Sequence, residues 1–346
     1  MRGISYTRLM DKKNILLLFG GKSSEYEVSL RSAQNIYEAI DSSRYAVTLC
    51  NISKSGIWKI VDSVRDATPN DNTIQLDLGH GRFFSDGRFL NVDVVFPVLH
   101  GKFGEDGTVQ GLLDLVGVAY VGCGTESSAL CMDKLRTKRL LTSAGIAVVP
   151  DVVVDGALEQ GDYSSLVAQL PGPWFVKPCR AGSSVGVAKV KNVADLDVAV
   201  QAALVHDSEV LIESAVQNPR ELEVAVMGNT PDIIASGVGE IIPGEEYYSY
   251  EDKYAETSTS KAIEHANLPD ELGERIPAIA KQVYQTLNCR GLARVDFLLS
   301  DSGELFVNEV NTMPGFTNIS MFPKLMMHTG YTYPQLIDKL IELALQ

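Results

Sequence analysis

The chain has 346 residues, 45% hydrophobic and 21% charged, which is ordinary globular usage and excludes a disordered, collagenous or coiled-coil protein. At roughly 150 residues per domain, that length makes about two to three domains with a sizeable core. Lys plus Arg number 30 and Asp plus Glu 44, a net charge of −14 that argues against a nucleic-acid or anionic-membrane partner but leaves room for a small phosphate ligand held by a few placed lysines.

The first residues, Met1 to Lys13, are basic and polar without an apolar stretch, so they do not read as a signal peptide. Met10 stands just before the first strand-like run, which suggests that Met1 to Leu9 is an upstream extension without a role in the fold. Asn14 to Phe19 reads as a buried strand ended by Gly20-Gly21. Ser23 or Ser24 then caps a helix with Val28, Ala33, Ile36 and Ile40 on one face. Val92 to Leu99 is strand-like and is followed by a Gly-rich polar segment, His100 to Gly107. Val109 to Leu115 looks helical and Val118 to Val121 extended, so strand and helix alternate as in a mostly parallel sheet. One helix is expected from near Met132 to Ser143, ended by Gly145, with Pro150 after a short strand.

In the middle, Pro173 to Pro178 is a strand carrying Lys177, Arg180 to Gly186 a small-residue loop, and Val187 to Val190 a second strand. Ala194 to Leu204 looks helical and Val210 to Ile212 extended. From Glu221 the pattern is strand-rich. It is interrupted by a polar, aromatic stretch, 245–260, too long for a plain connector and read as a lid loop. Glu271 to Leu287 is a helix, Leu292 to Val310 a hairpin, and Tyr333 to Leu345 a closing helix. Cys50, Cys123, Cys131, Cys179 and Cys289 are odd in number and form no CxxC, which speaks against a disulfide framework or zinc site and for a reducing cytosol. No apolar run approaches the length needed to span a bilayer.

The hairpin carries the most chemistry. If Ser300 faces Gly303 across the turn, Arg294 lies opposite Glu309 and Asp296 opposite Val307. Arg294, Asp296, Glu309 and Asn311 then share one face, while Val295, Phe297, Phe306 and Val310 take the other, toward a core. Two carboxylates and an amide oxygen are hard ligands of the kind Mg²⁺ takes together with substrate phosphates. An Arg294–Glu309 ion pair on a solvated face is the alternative reading. The Asn-Thr-Met-Pro-Gly run that follows makes a rigid bend where backbone amides can face a ligand.

The loop Arg180-Ala-Gly-Ser-Ser-Val-Gly186 can close over phosphates, or it is simply a mobile turn. Neither it nor Gly20-Gly-Lys-Ser-Ser24 has Walker spacing, so a P-loop is rejected. A strand lysine before the loop and a carboxylate hairpin after it point to ATP with magnesium. Taken singly, Lys134 reads as solvated, Glu213 as an exposed strand end, Glu25 as a helix-dipole partner and His100 as structural.

In combination these segments resemble the ATP-grasp superfamily and, within it, the D-alanine–D-alanine ligases, over nearly the whole chain from Lys13 to Leu345. The matching motifs are Gly20-Gly-Lys-Ser-Ser-Glu-Tyr-Glu-Val-Ser-Leu30, His100-Gly-Lys-Phe-Gly-Glu-Asp-Gly-Thr-Val-Gln-Gly111, Lys177-Pro-Cys-Arg-Ala-Gly-Ser-Ser-Val-Gly186, Arg294-Val-Asp296 and Asn308-Glu-Val-Asn-Thr-Met-Pro-Gly-Phe-Thr317. The resemblance implies an α/β (α+β) ATP-grasp fold: an N-terminal parallel α/β domain at 1–131 and two ATP-grasp subdomains at 132–212 and 213–346, with ATP between the last two. It implies that Lys134 and Lys177 contact ATP phosphates beside the loop hydroxyls of Ser183 and Ser184. Glu213 would lie at the adenine hinge, Glu221 at the ribose, and Lys253 of the lid near the γ-phosphate. Asp296, Glu309 and Asn311 match ligands of two Mg²⁺ (or Mn²⁺) ions. Glu25 matches the holder of the first D-alanine's ammonium, with His100 nearby. Ser183 and Tyr254 match its partners in a network that closes the lid. Arg294 and the Gly315 amide match the oxyanion stabilisers, and Ser320 the group that binds the second substrate's carboxylate. A cytoplasmic homodimer acting in peptidoglycan precursor synthesis is implied as well.

The second substrate is where the pattern divides. Related vancomycin-resistance ligases join D-alanine to D-lactate or D-serine. Tyr254 is typical of dipeptide-forming members, and Met321 is apolar where resistance-type enzymes often carry arginine. Both favour D-alanine. Val121-Gly-Cys123 and Ser128-Ala-Leu-Cys-Met-Asp133 also resemble some D-serine ligases. Ser214 stands where some members carry a lysine and is given no role.

Overall fold

The computed structural model describes residues 12–65, 72–156, 163–183, 185–242, 244 and 260–346. The expected extension Met1 to Leu9, Ser184, and the lid residues Lys253 and Tyr254 lie outside them. The first part of the chain runs β1 (Lys13–Gly20), α1 (Tyr26–Ala39), β2 (Tyr45–Ile52), β3 (Trp58–Val61), β4 (Ile74–Asp77), β5 (Arg82–Ser85), β6 (Arg88–Leu90), β7 (Val94–Val98), α2 (Thr108–Val116) and β8 (Ala119–Tyr120). Its main sheet has the order β3-β2-β1-β7-β8, with β1 parallel to both neighbours and β3 antiparallel at the edge. The central strand is covered on both faces, as a parallel sheet requires. Ile15, Leu17 and Phe19 join one core and Leu16 and Leu18 another. Strands β4 to β6 form a separate antiparallel meander that the sequence reading passed over. They are three or four residues long and half exposed, too short to show a period.

Two local expectations need correction. The N-cap of α1 is Glu25, with no side-chain cap bond, rather than Ser23 or Ser24. Ser23 Oγ instead accepts from Glu25 N at 3.3 Å and donates to the His100 carbonyl at 2.7 Å, stitching two loops together. The single helix expected from Met132 is two, α3 (Thr125–Met132) and α4 (Lys134–Ser143). Asp133 turns extended between them, and its carboxylate accepts from Arg136 N at 3.0 Å, which caps α4.

The second sheet contains β9 (Asp151–Asp155), β10 (Trp174–Pro178), β11 (Ala188–Val190) and β12 (Glu209–Ser214), in the order β11-β10-β12-β9, with α5 (Leu196–Leu204) packed on it. Strand β12 runs through residue 212, where the resemblance puts a boundary. Trp174, Val176 and Pro178 turn into the core, so alternation sends Lys177 to the opposite face. The third sheet contains β13 (Arg220–Asn229), β14 (Asp232–Ala235), β15 (Gly239–Ile242), β16 (Lys261–Ile263), and, after α6 (Asp270–Thr286), the hairpin β17 (Gly291–Leu299) and β18 (Leu305–Asn311). Its order is β16-β15-β13-β17-β18, with β14 on β13. Helices α7 (Met321–Met327) and α8 (Tyr333–Ala344) follow.

The hairpin register differs from the expected one. Near the turn, Phe297 pairs with Val307 and Leu299 with Leu305; beyond a bulge, Asp296 pairs with Glu309 and Arg294 with Asn311. The turn is one residue out of the expected register and the bulge at Asn308 adds a second. A slip of one residue reverses the faces and a slip of two restores them. The polar four therefore do share a face, and it is the bulge that puts Glu309 and Asn311 beside Asp296. The core side changes accordingly: Leu305, Val307 and Val310 are buried, whereas Phe306 is only half-buried.

Helix α8 begins with a capping box between Thr332 and Gln335. Its buried face, Leu336, Ile337, Leu340 and Ile341, packs into the same core as Ile15, Leu17 and Phe19 of β1. Arg44 reaches across to Asp338 at 2.6 Å and Glu342 at 2.9 Å. Among the described residues, all five cysteines are buried thiols and no helix is long and apolar enough to cross a membrane.

Candidate active site

The three main sheets surround a cavity of about 1280 Å³. Glu25, His100, Lys134, Ser183, Arg294, Glu309, Asn311, Gly315, Ser320 and Met321 all line it. Among the described residues, Lys177, Glu213, Glu221 and Asp296 are not part of that lining. They stand on neighbouring strands of the second and third sheets.

One end is built by loops at the C-terminal edge of the first sheet. Glu25 is buried against the backbone of Gly101, where a Cβ would come within 2.6 Å of Glu25 Oε2. Gly101 also has φ +70, so both space and conformation require glycine there. His100 is buried, with Nδ1 at 2.9 Å from the Met313 carbonyl and Nε2 at 3.3 Å from Ser32 Oγ. A carbonyl only accepts, so Nδ1 carries the hydrogen and Nε2 accepts from Ser32. Burial holds the imidazole below its ordinary pKa, although Glu25 and the Met313 carbonyl pull the other way. The ring is thus neutral at neutral pH. Ser32 Oγ also accepts from Phe316 N at 3.1 Å, so the histidine fixes the 313–316 bend.

Glu105, which the sequence reading quoted in a motif but did not single out, belongs here. Its carboxylate accepts from Gly101 N at 2.7 Å and Met313 N at 3.1 Å. Burial, with Glu25 close by, pushes its pKa up to about 8. Gly315 faces Ser320, whose Oγ accepts from Thr317 N at 3.0 Å; a Cβ on Gly315 would stand 2.7 Å from that oxygen. Met321 was expected as an acceptor wall. It touches the cavity but is buried in the core, its Cε lying where a Cβ on Gly239 would be.

The other end is a charged network. Lys134 is half-buried and donates to the Ala181 carbonyl at 2.5 Å, so it is not the solvated lysine read from sequence. Burial and the nearby Lys177 hold its pKa below the ordinary lysine value, against the pull of Glu309. Glu213 is 6% exposed, not an exposed strand end. It accepts from Lys177 at 2.6 Å and from Lys138, which is itself buried and stands 3.3 Å from Asp151. Burial opposes the Glu213 charge, yet the two lysines bring its pKa down to about 2. Burial also opposes the Lys177 charge, and Glu213 raises it above the usual range. Lys138 was missed, although it lies one helical turn after Lys134, a spacing that shares a face. Ser214 Oγ donates to the Pro171 carbonyl at 2.8 Å.

On the hairpin, Arg294 forks onto Asp296, Nε to Oδ1 and Nη2 to Oδ2, each at 2.7 Å. Asn311 donates to the same Oδ2 at 3.0 Å. The expected Arg294–Glu309 pairing is thus replaced by Arg294–Asp296, because the bulge sets Asn311 opposite Arg294. Among the described residues no three His, Cys, Asp or Glu side chains form a ready metal cage. The donors expected on this face, Asp296, Glu309 and Asn311, are two carboxylates and an amide. They fit a hard cation that completes its shell with phosphate and water.

Comparison with known proteins agrees with this architecture. The family profiles described as D-ala D-ala ligase N-terminus and C-terminus match residues 14–123 and 140–342. A D-alanine–D-alanine ligase A of Chromobacterium violaceum is 44% identical over 97% of this chain and 96% of its own. A D-alanine–D-alanine ligase of Shouchella clausii is 43% identical over the same shares. Among solved structures, the VanG D-Ala:D-Ser ligase from Enterococcus faecalis superposes with a TM-score of 0.88 at 38% identity, covering 96% of this chain and 99% of that one. The D-alanine-D-alanine ligase from Coxiella burnetii gives 0.86 at 34%, covering 96% and 94%. A parallel α/β sheet followed by two antiparallel sheets around one charged cavity is here the ATP-grasp fold of an ATP-dependent ligase. The chain belongs to the D-alanine–D-alanine ligase family.

Proposed function

We propose that the chain joins two D-alanines to D-alanyl-D-alanine in the cytoplasm, converting ATP to ADP and phosphate, as a homodimer supplying peptidoglycan precursors. The observation that carries this is the single cavity shared by Glu25 and His100 at one end, Arg294, Gly315 and Ser320 along one side, and Lys134, Glu309 and Asn311 at the other. Glu25 holds the first substrate's ammonium, and that substrate's carboxylate attacks the γ-phosphate to give an acyl phosphate and ADP. The second substrate, its carboxylate at Ser320, attacks that carbonyl with its amine, and phosphate leaves. Arg294 and the Gly315 amide take the charge of the tetrahedral oxygen. Lys134 and Lys177 orient the phosphates, with Ser183 and Ser184 in the loop beside them and Glu213 and Glu221 toward the nucleoside. Asp296, Glu309 and Asn311 would hold Mg²⁺ or Mn²⁺, two ions when complete, which neutralise charge on the transferring phosphoryl group. Lys253 of the lid approaches the γ-phosphate, and the lid with Tyr254 excludes water that would hydrolyse the acyl phosphate.

Incubation with ATP, Mg²⁺ and D-alanine is expected to release phosphate and dipeptide in equal amounts. No phosphate release with any D-amino acid would overturn the reading. A D-alanine–D-serine ligase is the second reading, favoured by the likeness to the Enterococcus faecalis structure. Competing D-alanine against D-serine at several pH values separates the two. Gly315→Ala offers a sharper test of the acceptor site. The new methyl, 2.7 Å from Ser320 Oγ, must displace that hydroxyl. The KM for the second D-alanine is expected to rise about tenfold or more with the first little changed, as saturation kinetics would show.

A further inference from the structure

Glu223 on β13 lies directly opposite Asp296 on β17, as Ala225 lies opposite Arg294. Directly opposed residues share a face, so Glu223 stands on the face that carries Arg294, Asp296 and Glu309. It is 7% exposed, lines the cavity, and its Oε2 is 3.3 Å from Arg294 Nε. The guanidinium therefore touches two carboxylates, Asp296 through both of its oxygens and Glu223 through one. The sequence signal was the Glu221-Leu222-Glu223 spacing, which puts Glu223 on the same face as Glu221.

Asp296 cannot fully serve two cations. Its Oδ1 accepts from Arg294 and its Oδ2 from both Arg294 and Asn311, so a metal ion must compete for oxygens already engaged. A half-buried guanidinium that loses its carboxylate is disfavoured. We propose that Glu223 is a positioning residue that takes over Arg294 when Asp296 turns to the metal, keeping the guanidinium aimed into the cavity. This rests on the reading of Asp296 as a metal ligand and Arg294 as the oxyanion holder. Glu223 needs only a side-chain adjustment to do so, because the strand register already sets it across from Asp296.

The test measures Mn²⁺ binding to the full chain in the presence of ADP, by electron paramagnetic resonance of the free ion. It compares the unsubstituted chain with Glu223→Gln, Asp296→Asn and the double variant. Glu223→Gln is expected to weaken Mn²⁺ binding about tenfold, because Asp296 would then leave Arg294 without a charged partner. In the Asp296→Asn background the same change is expected to alter binding less than about twofold, since the competition no longer exists. The kcat of Glu223→Gln should fall by about tenfold or more with the ATP KM unchanged, and Glu223→Asp should restore part of both losses. Unchanged Mn²⁺ binding in Glu223→Gln overturns the proposal. So do additive losses in the double variant, which would make Glu223 a ligand itself. A lower unfolding temperature of metal-free Glu223→Gln with normal Mn²⁺ binding would mark a structural role only, and overturns it too. Asp296→Asn binding Mn²⁺ like the unsubstituted chain would instead show that the metal reading is wrong, and that arm reports this independently of Glu223.

Discussion

Glu309→Gln is expected to lower turnover at least about 10³-fold while leaving the fold intact. The substitution keeps the shape of the side chain and the register of β18, and it removes one negative charge. A carboxamide is a far poorer partner for a divalent cation than a carboxylate and presents an N–H₂ where an oxygen is needed. The charge is also shared beyond the metal, because Lys134, Lys177 and Arg294 are all stabilised in their charged forms by Glu309. Lys134 is the most exposed to this loss, since burial already holds its pKa below the ordinary value. In the variant its pKa falls further, its charge is lost at lower pH, and the alkaline limb of any residual rate profile moves to lower pH. Glu309 is half-buried, so the unfolding free energy should change by no more than about 1 kcal/mol. Turnover equal to that of the unsubstituted chain would show that the metal is held elsewhere.

The largest expected effect on stability is at Glu213. Glu213→Gln leaves Lys138 and Lys177 facing a neutral amide in a buried setting. Removing one partner of a buried ion network costs about 3–5 kcal/mol, which denaturant unfolding at neutral pH would measure. The pH dependence has a definite sign. The folded pKa, about 2, lies below the unfolded value near 4.5, so the contribution is complete above that value and is lost as pH falls toward 2. The unsubstituted chain should therefore lose stability between about pH 4.5 and 2 more steeply than Glu213→Gln does. Adding Lys138→Met to Glu213→Gln should recover part of the loss, because it removes a buried charge and keeps volume. Equal stability of Glu213→Gln and the unsubstituted chain across this range would mean that the two lysines do not depend on this carboxylate.

What sequence alone revealed depended on how locally each feature is encoded. Ile15 to Phe19, the alternation around Lys177 and the helix over Asp270–Thr286 follow from runs of apolar residues, and they were readable. The split at Asp133 was not, because a helix-favouring run on both sides masks one capping residue. The hairpin face came out right for a register that was wrong, since the turn and the Asn308 bulge cancel in their effect on facing. Glu105 and Lys138 were passed over because their partners, Met313 and Glu213, are far away in sequence. Glu213 itself looked exposed because a carboxylate at a strand end usually is, and only the two lysines brought to it by other elements explain its burial.

The place of α8 in the core of the first sheet bears on how the chain is made. Synthesis delivers β1 long before α8, and structure usually forms in the order in which it emerges. Helix α1 packs on β1 directly, and its Ala33 and Ile36 share a core with Ile15, Leu17 and Phe19, whereas α8 lies beside α1 against β7 and β8 and adds Leu336, Ile337 and Leu340 to that core only once it is made. The N-terminal sheet is continuous in sequence, yet its core is complete only when α8 has joined it. A fragment of residues 1–131 would carry into solvent the apolar surface that α8 covers, so folding of this sheet draws on sequence about two hundred residues away.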